Sequence, residues 1–183
     1  MELAENKVVL RTVERQDRGM LEELIQDPEI AKVTGGYPSP PSYDHQMDWF
    51  CAREGSACNL RYIIADKDTP QAGLGIILLS HVDWENKTAE IYIKLRKSAR
   101  GKGYGEGAVN ALVSFAFCQL RLKVICSHIL EYNMPSRRLF EKCGFCLKEI
   151  HRSRAGQEGS CRNVYCYVLC SGDSCCRDVS GGD

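Results

Sequence analysis

"SARGKGYGEG", residues 98–107, places four glycines and two cationic side chains between an apolar strand-like run and a helix-like one. A helix start leaves its first backbone N–H groups without partners and carries partial positive charge, so it attracts phosphate. Glycine lets the chain close around a ligand where a Cβ would collide. Arg100 and Lys102 add full charges beside those amides. Together these features suit a diphosphate. A flexible glycine turn carrying two solvated cations explains the same residues, so the neighbouring sequence has to decide.

Two familiar phosphate motifs fit badly. The pattern G-x-x-x-x-G-K-[ST] fails because Lys102 is followed by Gly103. Gly103-Tyr104-Gly105-Glu106-Gly107-Ala108 does satisfy G-x-G-x-x-A, and Glu131 falls where a ribose-binding acid would belong. That fingerprint needs its first glycine at the strand end, yet "RKSAR" separates Leu95 from Gly101. The preceding strand also reads as half of an antiparallel hairpin, so the expected βαβ context is missing.

Working outward, the period of apolar residues assigns the elements. Residues 8–11 form a short first strand, and Asp17 caps a helix with Met20, Leu21, Leu24 and Ile25 at helical spacing. Residues 34–43, "TGGYPSPPSY", are a loop, followed by a helix over 44–53. Strands are expected at 61–66, 74–82 and 89–95, the last two joined by the turn "DWENKT". A helix over 103–119, a buried strand over 124–130 and a helix over 135–143 closed by Gly144 come next. Residues 146–154 and 163–169 close as a hairpin, and the glycine-rich tail from 170 to 183 is expected to be disordered. The order predicts one domain over 8–169, α+β (α/β) in class, with a mixed, mostly antiparallel central sheet and helices on both faces.

Composition narrows the function. The 183 residues carry 24 Lys plus Arg against 24 Asp plus Glu, which gives no global pull towards nucleic acid or anionic membrane. The charged N-terminus does not read as a signal peptide, and no apolar run could cross a bilayer, so a cytoplasmic protein is expected. The eleven cysteines are odd in number and lack zinc-type spacing beyond Cys143-Gly144-Phe145-Cys146. Neither a disulfide framework nor a metal site is therefore expected, and most of these thiols read as small buried apolar groups. A homo-oligomer stays open, because no long exposed apolar stripe marks an interface.

Arg100-Gly101-Lys102-Gly103-Tyr104-Gly105 resembles the (Gln/Arg)-x-x-Gly-x-(Gly/Ala) signature of GNAT-superfamily N-acetyltransferases. "AEIYIKL" is similar to that family's central strand, and "RLKVICSHILEYNMPSRRLFEKCGF" to its next strand, an Asn, a short helix and a closing Gly-Phe. "VVLRTVERQD" and "YCYVL" resemble the branch with spermidine acetyltransferases and ribosomal-protein N-terminal acetyltransferases. The likeness spans about residues 8 to 169. It implies direct transfer of acetyl from acetyl-CoA to a primary amine, on a small molecule or a peptide N-terminus, within a ternary complex.

By that resemblance, Arg100, Gly101, Lys102, Gly103, Tyr104 and Gly105 hold the CoA diphosphate. Ile93, Lys94 and Leu95 offer backbone groups where the strand splays from its neighbour, and Asn133 contacts the cofactor. Glu90 receives the amine proton. Many members carry a Tyr before "E-K-x-G-F" as proton donor to the thiolate; here Phe140 stands there, and Ser136 is the alternative. Two bland readings stay open: Ser136 as a first-turn helix Ser, and Asn133 as a turn cap. An acetyl-CoA-binding or interaction module with little catalysis is the rival function, and a dinucleotide-binding protein a more distant one.

Overall fold

Branched and aromatic side chains at alternating positions build an eight-stranded sheet. The computed structural model describes residues 3–33, 59–153 and 162–172. The strands are β1 (Leu3–Glu5), β2 (Val8–Arg11), β3 (Leu60–Asp66), β4 (Thr69–Asp83), β5 (Thr88–Leu95), β6 (Val124–Leu130), β7 (Cys146–Ser153) and β8 (Arg162–Cys170). Their order across the sheet is β1-β2-β3-β4-β5-β6-β8-β7. Every neighbouring pair is antiparallel except β5 with β6. The helices are α1 (Arg18–Gln26), α2 (Pro28–Val33), α3 (Tyr104–Cys118) and α4 (Met134–Lys142).

The alternation of side chains splits the core into two layers. On one face Val8, Leu10, Ile64, Ile77, Leu79 and Ile91 pack with the apolar positions of α3. On the other, Ile63 and Ile76 meet Met20, Leu21 and Leu24 of α1 and Ile30 of α2. Helices therefore lie on both faces, as the residue pattern predicts. Among the described residues no helix is long and apolar enough to cross a membrane.

Several expectations change. β1 precedes the expected first strand, and β4 starts at Thr69 rather than 74, so it runs 15 residues. Asp17 sits at the start of α1 but makes no cap: its carboxylate accepts from Arg11 at 2.6 and 2.7 Å and from the Glu14 N–H at 2.8 Å. α2 was not predicted; Pro28 opens it and the Asp27 carboxylate caps the Glu29 N–H at 2.8 Å. The strand before the glycine loop does belong to a βαβ unit, because β5, α3 and β6 form a parallel crossover. The separation by "RKSAR" still holds against the dinucleotide fingerprint. Cys170 ends β8 and the Ser171 N–H donates to Lys123 O at 2.9 Å, so order extends past residue 169. The expected loop over 34–43, the helix over 44–53 and the tail beyond 172 lie outside the described residues.

Candidate active site

The glycine loop is built by backbone conformations that few residues adopt. After β5, a short 3-10 turn at Lys97–Ala99 leads to Arg100, and then Gly101 and Gly103 take φ of +72° and +83°. These left-handed values favour glycine, and Gly103 stands at the start of α3. Gly107 lets the helix approach β2: a Cβ there would lie 2.8 Å from Val8 Cγ2. Among the described residues, the amides from Gly101 to Glu106 donate no hydrogen bond within the protein. A row of unpartnered N–H groups at the positive end of a 15-residue helix is an anion cradle.

The charges near it differ from expectation. Arg100 donates from Nε to Leu95 O at 3.0 Å, and its guanidinium reaches Asp27 at 2.5 Å and Glu29 at 2.6 Å. Its charge is thus engaged by α2 rather than aimed along the loop. Burial pushes the Asp27 carboxyl up, but the Arg100 hydrogen bond and the capped amides more than offset it and hold it below its ordinary value. Lys102 is exposed, and its carbonyl accepts from Lys7 Nζ. Lys7, on the turn before β2, also lies 4.5 Å from the Tyr104 ring centroid. Tyr104 itself donates to Asp66 at 2.5 Å. Sequence spacing could not reveal Lys7, which enters from 95 residues away.

Beside the loop the sheet opens. The parallel pairing of β5 with β6 runs only through Thr88↔Val124, Ala89↔Ile125 and Glu90↔Cys126. Past that point the buried Ser127 hydroxyl donates to Ile91 O at 3.2 Å, standing where a ladder bond would be. β5 continues against β4 as far as Leu95, while β6 continues against β8 as far as Leu130. Ile93, Lys94 and Leu95 therefore line the diverging edge, as expected of a strand that splays. Ile93 and Leu95 pack into the α3 layer, whereas Lys94 alternates to the α1 face beside Ile76. Burial pushes the Lys94 ammonium down from its ordinary pKa.

Glu90 sits at the apex of this opening, with its side chain 12% exposed. Its Oε1 is 2.6 Å from His128 Nδ1, and its Oε2 is 3.4 Å from His81 Nδ1. His81 has φ of +49° in a bulge of β4, an uncommon conformation for a non-glycine residue, and this turns it towards Glu90. Burial raises the Glu90 carboxyl, but hydrogen bonds from His128 and Tyr92 outweigh it and hold the group below its ordinary value. The Glu90 hydrogen bond in turn raises the His128 imidazole, against the opposing effect of burial. Neither histidine was singled out from the sequence. Only the parallel register and the bulge bring them to the carboxylate.

On the far side of the opening, Asn133 caps α4, its side chain accepting from the Ser136 N–H at 3.3 Å. That is the turn-cap role the residue type suggests. Phe140 is 2% exposed and meets Phe145 edge-on at 5.0 Å, so it lies in the core. Burial pushes the Cys126 thiol up to about 12 and the Cys143 thiol up to about 11, which removes both as thiolate nucleophiles near neutral pH. Cys170 is disulfide-bonded. Among the described residues no group of three or more His, Cys, Asp or Glu side chains could hold a metal ion.

A mixed sheet with one splayed parallel junction, and a helix that starts at an amide cradle beside it, is the arrangement that the resemblance to CoA-dependent acyltransferases implies. The comparisons agree. Residues 7–146 match the acetyltransferase (GNAT) domain family, and the chain belongs to that family. It is 29% identical over 167 residues to an uncharacterized N-acetyltransferase p20 of Bacillus licheniformis, covering 89% of this chain and 92% of that one. It is 23% identical over 140 residues to a spermidine N(1)-acetyltransferase of Vibrio cholerae, covering 76% and 79%. The structure of a spermidine N-acetyltransferase from Vibrio cholerae, in complex with CoA and spermine, superposes with a TM-score of 0.79. It is 21% identical, and the match covers 90% of this chain and 95% of that one. The chain is an acetyl-CoA-dependent N-acetyltransferase.

Proposed function

We propose that this enzyme moves acetyl from acetyl-CoA directly to a primary amine, on a small molecule or at a peptide N-terminus, without an acyl-enzyme. The observation that carries this is the adjacency of the unpartnered amides of residues 101–106 to the β5 edge that leaves β6 after Glu90. Gly101, Lys102, Gly103, Tyr104 and Gly105 receive the CoA diphosphate through backbone N–H groups, with the exposed Lys7 and Lys102 adding charge. Arg100 serves that loop indirectly, by fixing its base to Asp27 and Glu29. The backbone of Ile93, Lys94 and Leu95 continues the cradle along the pantetheine, and Asn133 holds the opposite rim through its cap on α4.

Glu90 places negative charge at the apex, where an ammonium must shed a proton before it can attack a thioester. Ser136 carries the hydroxyl nearest in sequence to the missing tyrosine's role, and it supplies the departing sulfur with a hydrogen bond. The raised thiol pKa values of Cys126 and Cys143 support direct transfer over a covalent cysteine intermediate.

Titration calorimetry with acetyl-CoA is expected to give a dissociation constant in the micromolar range, about −8 kcal/mol. Thiol release is then measured with polyamines, amino acids, aminoglycosides and short peptides. Binding of NAD(P) with no heat from acetyl-CoA would overturn the proposal. Tight acetyl-CoA binding with no release for any amine would favour the rival, a binding module; the absence of a tyrosine hydroxyl at Phe140 is the feature that favours it.

A further inference from the structure

We infer that His128 accepts the acceptor amine's proton and that Glu90 is a positioning residue that holds its imidazole, an inference that rests on the function proposed above.

Both Glu90 oxygens face imidazoles: Oε1 receives His128 Nδ1 at 2.6 Å and Oε2 looks to His81 at 3.4 Å. With 12% of its side chain exposed, Glu90 is largely covered, whereas the His128 side chain is 40% exposed. A carboxylate accepts hydrogen bonds and cannot donate, so the short contact requires the proton on His128 Nδ1. In the neutral ring Nε2 is then the acceptor, on a side chain 40% exposed on β6. His128 lies two residues beyond Cys126, the last partner of Glu90 in the parallel ladder, and so at the mouth of the divergence.

Among the described residues, other groups face this pair from four strands besides β6. From β4 comes His81 with the Ser80 hydroxyl 3.1 Å from its Nδ1, and from β5 Tyr92, which bonds Glu90. On the opposite flank, β8 supplies Cys166, directly across from His128, and β7 supplies His151, whose ring centroid is 6.4 Å away, with Glu149 3.1 Å from its Nε2. Cys126 of β6 completes the set, its thiol raised by burial and by Glu90. Among the described residues the acid in contact with His128 is Glu90, and it favours the protonated imidazole. An imidazole whose pKa is raised by its carboxylate partner suits proton acceptance better than a carboxylate held below its ordinary value.

In the transfer, one ammonium proton moves to Nε2 of His128, and the freed lone pair forms the C–N bond to the thioester carbonyl carbon. The C–S bond then breaks with its electron pair on sulfur. The nitrogen gives up a second proton, which ends on the CoA thiol, and His128 returns its own to solvent.

The test compares pH profiles of kcat/KM for wild type, H128Q, E90Q and H81Q, with spermidine and a free-N-terminus tripeptide as acceptors. Calorimetry with acetyl-CoA runs in parallel. H128Q is expected to lose about 10²–10⁴-fold and the rising acid limb, with acetyl-CoA affinity unchanged. E90Q keeps that limb but moves it to lower pH, because the partner that raises the imidazole is gone. Added imidazole partly restores a His128→Gly variant. A limb that survives in H128Q, or one that disappears in E90Q, overturns the assignment. Loss of acetyl-CoA binding by the wild type would instead strike the function on which it rests.

Discussion

Gly103 holds φ of +83°, and a Cβ there would lie 3.7 Å from Lys7 Cε, so its replacement acts on both the backbone and the Lys7 contact. A β-branched residue there costs about 1–2 kcal/mol in left-handed backbone and crowds Lys7 beside the loop. Gly103→Val is expected to lower acetyl-CoA affinity at least tenfold in calorimetry while the far-UV spectrum stays native. Unchanged affinity would reduce the loop to a turn.

The Glu90–His128 pair also sets a pH signature in stability. Glu90 has a depressed pKa, so its contribution is present above its unfolded value and is lost as pH falls through its folded value. His128 has a raised one, so its contribution is full below its unfolded value and is lost as pH rises through its folded value. The two windows overlap on the acid side of neutrality. The Tm deficit of H128Q should therefore be larger at about pH 6 than at about pH 8.5. Equal deficits at both would mean the imidazole stays neutral.

At the scale of elements, the buried Arg11–Asp17 pair ties β2 to the start of α1 at 2.6 Å. Removing one partner of a buried pair costs about 3–5 kcal/mol. Arg11 also donates to the carbonyls of Pro70 and Thr12, so Asp17→Ala should fall at the lower end of that range in urea unfolding. A change below about 1 kcal/mol would place the pair among surface contacts instead.

Elements were legible where periodicity is strong. The strand over 124–130 and the helices that became α3 and α4 appear in the sequence within a residue or two. The three-residue β1 and six-residue α2 are too short to show a period. The loop glycines were legible by type, since left-handed backbone favours glycine. What Arg100 does was not: its acidic partners lie 73 and 71 residues earlier, on an element the pattern did not reveal. Glu90 was found through resemblance. His81 and His128 depend on a bulge and on a parallel register that local spacing does not encode.

For the whole molecule, the thiols give a chemical test of direct transfer. Cys126, Cys143 and Cys166 are all raised by burial, whereas Cys118 is exposed. Incubation with acetyl-CoA in the absence of an amine should leave the intact mass unchanged, and iodoacetamide at about pH 7 should label Cys118 ahead of those three. A stable acetyl adduct on any of the three would require a covalent route.

α2 is fastened to both jaws of the splayed junction. Asp27 and Glu29 grip Arg100 beyond the end of β5, and Lys32 O accepts the Tyr132 hydroxyl beyond the end of β6 at 2.9 Å. Such a crossbar limits how far the two strands can part, so the width of the opening beside Glu90 is governed by a six-residue helix as well as by the sheet.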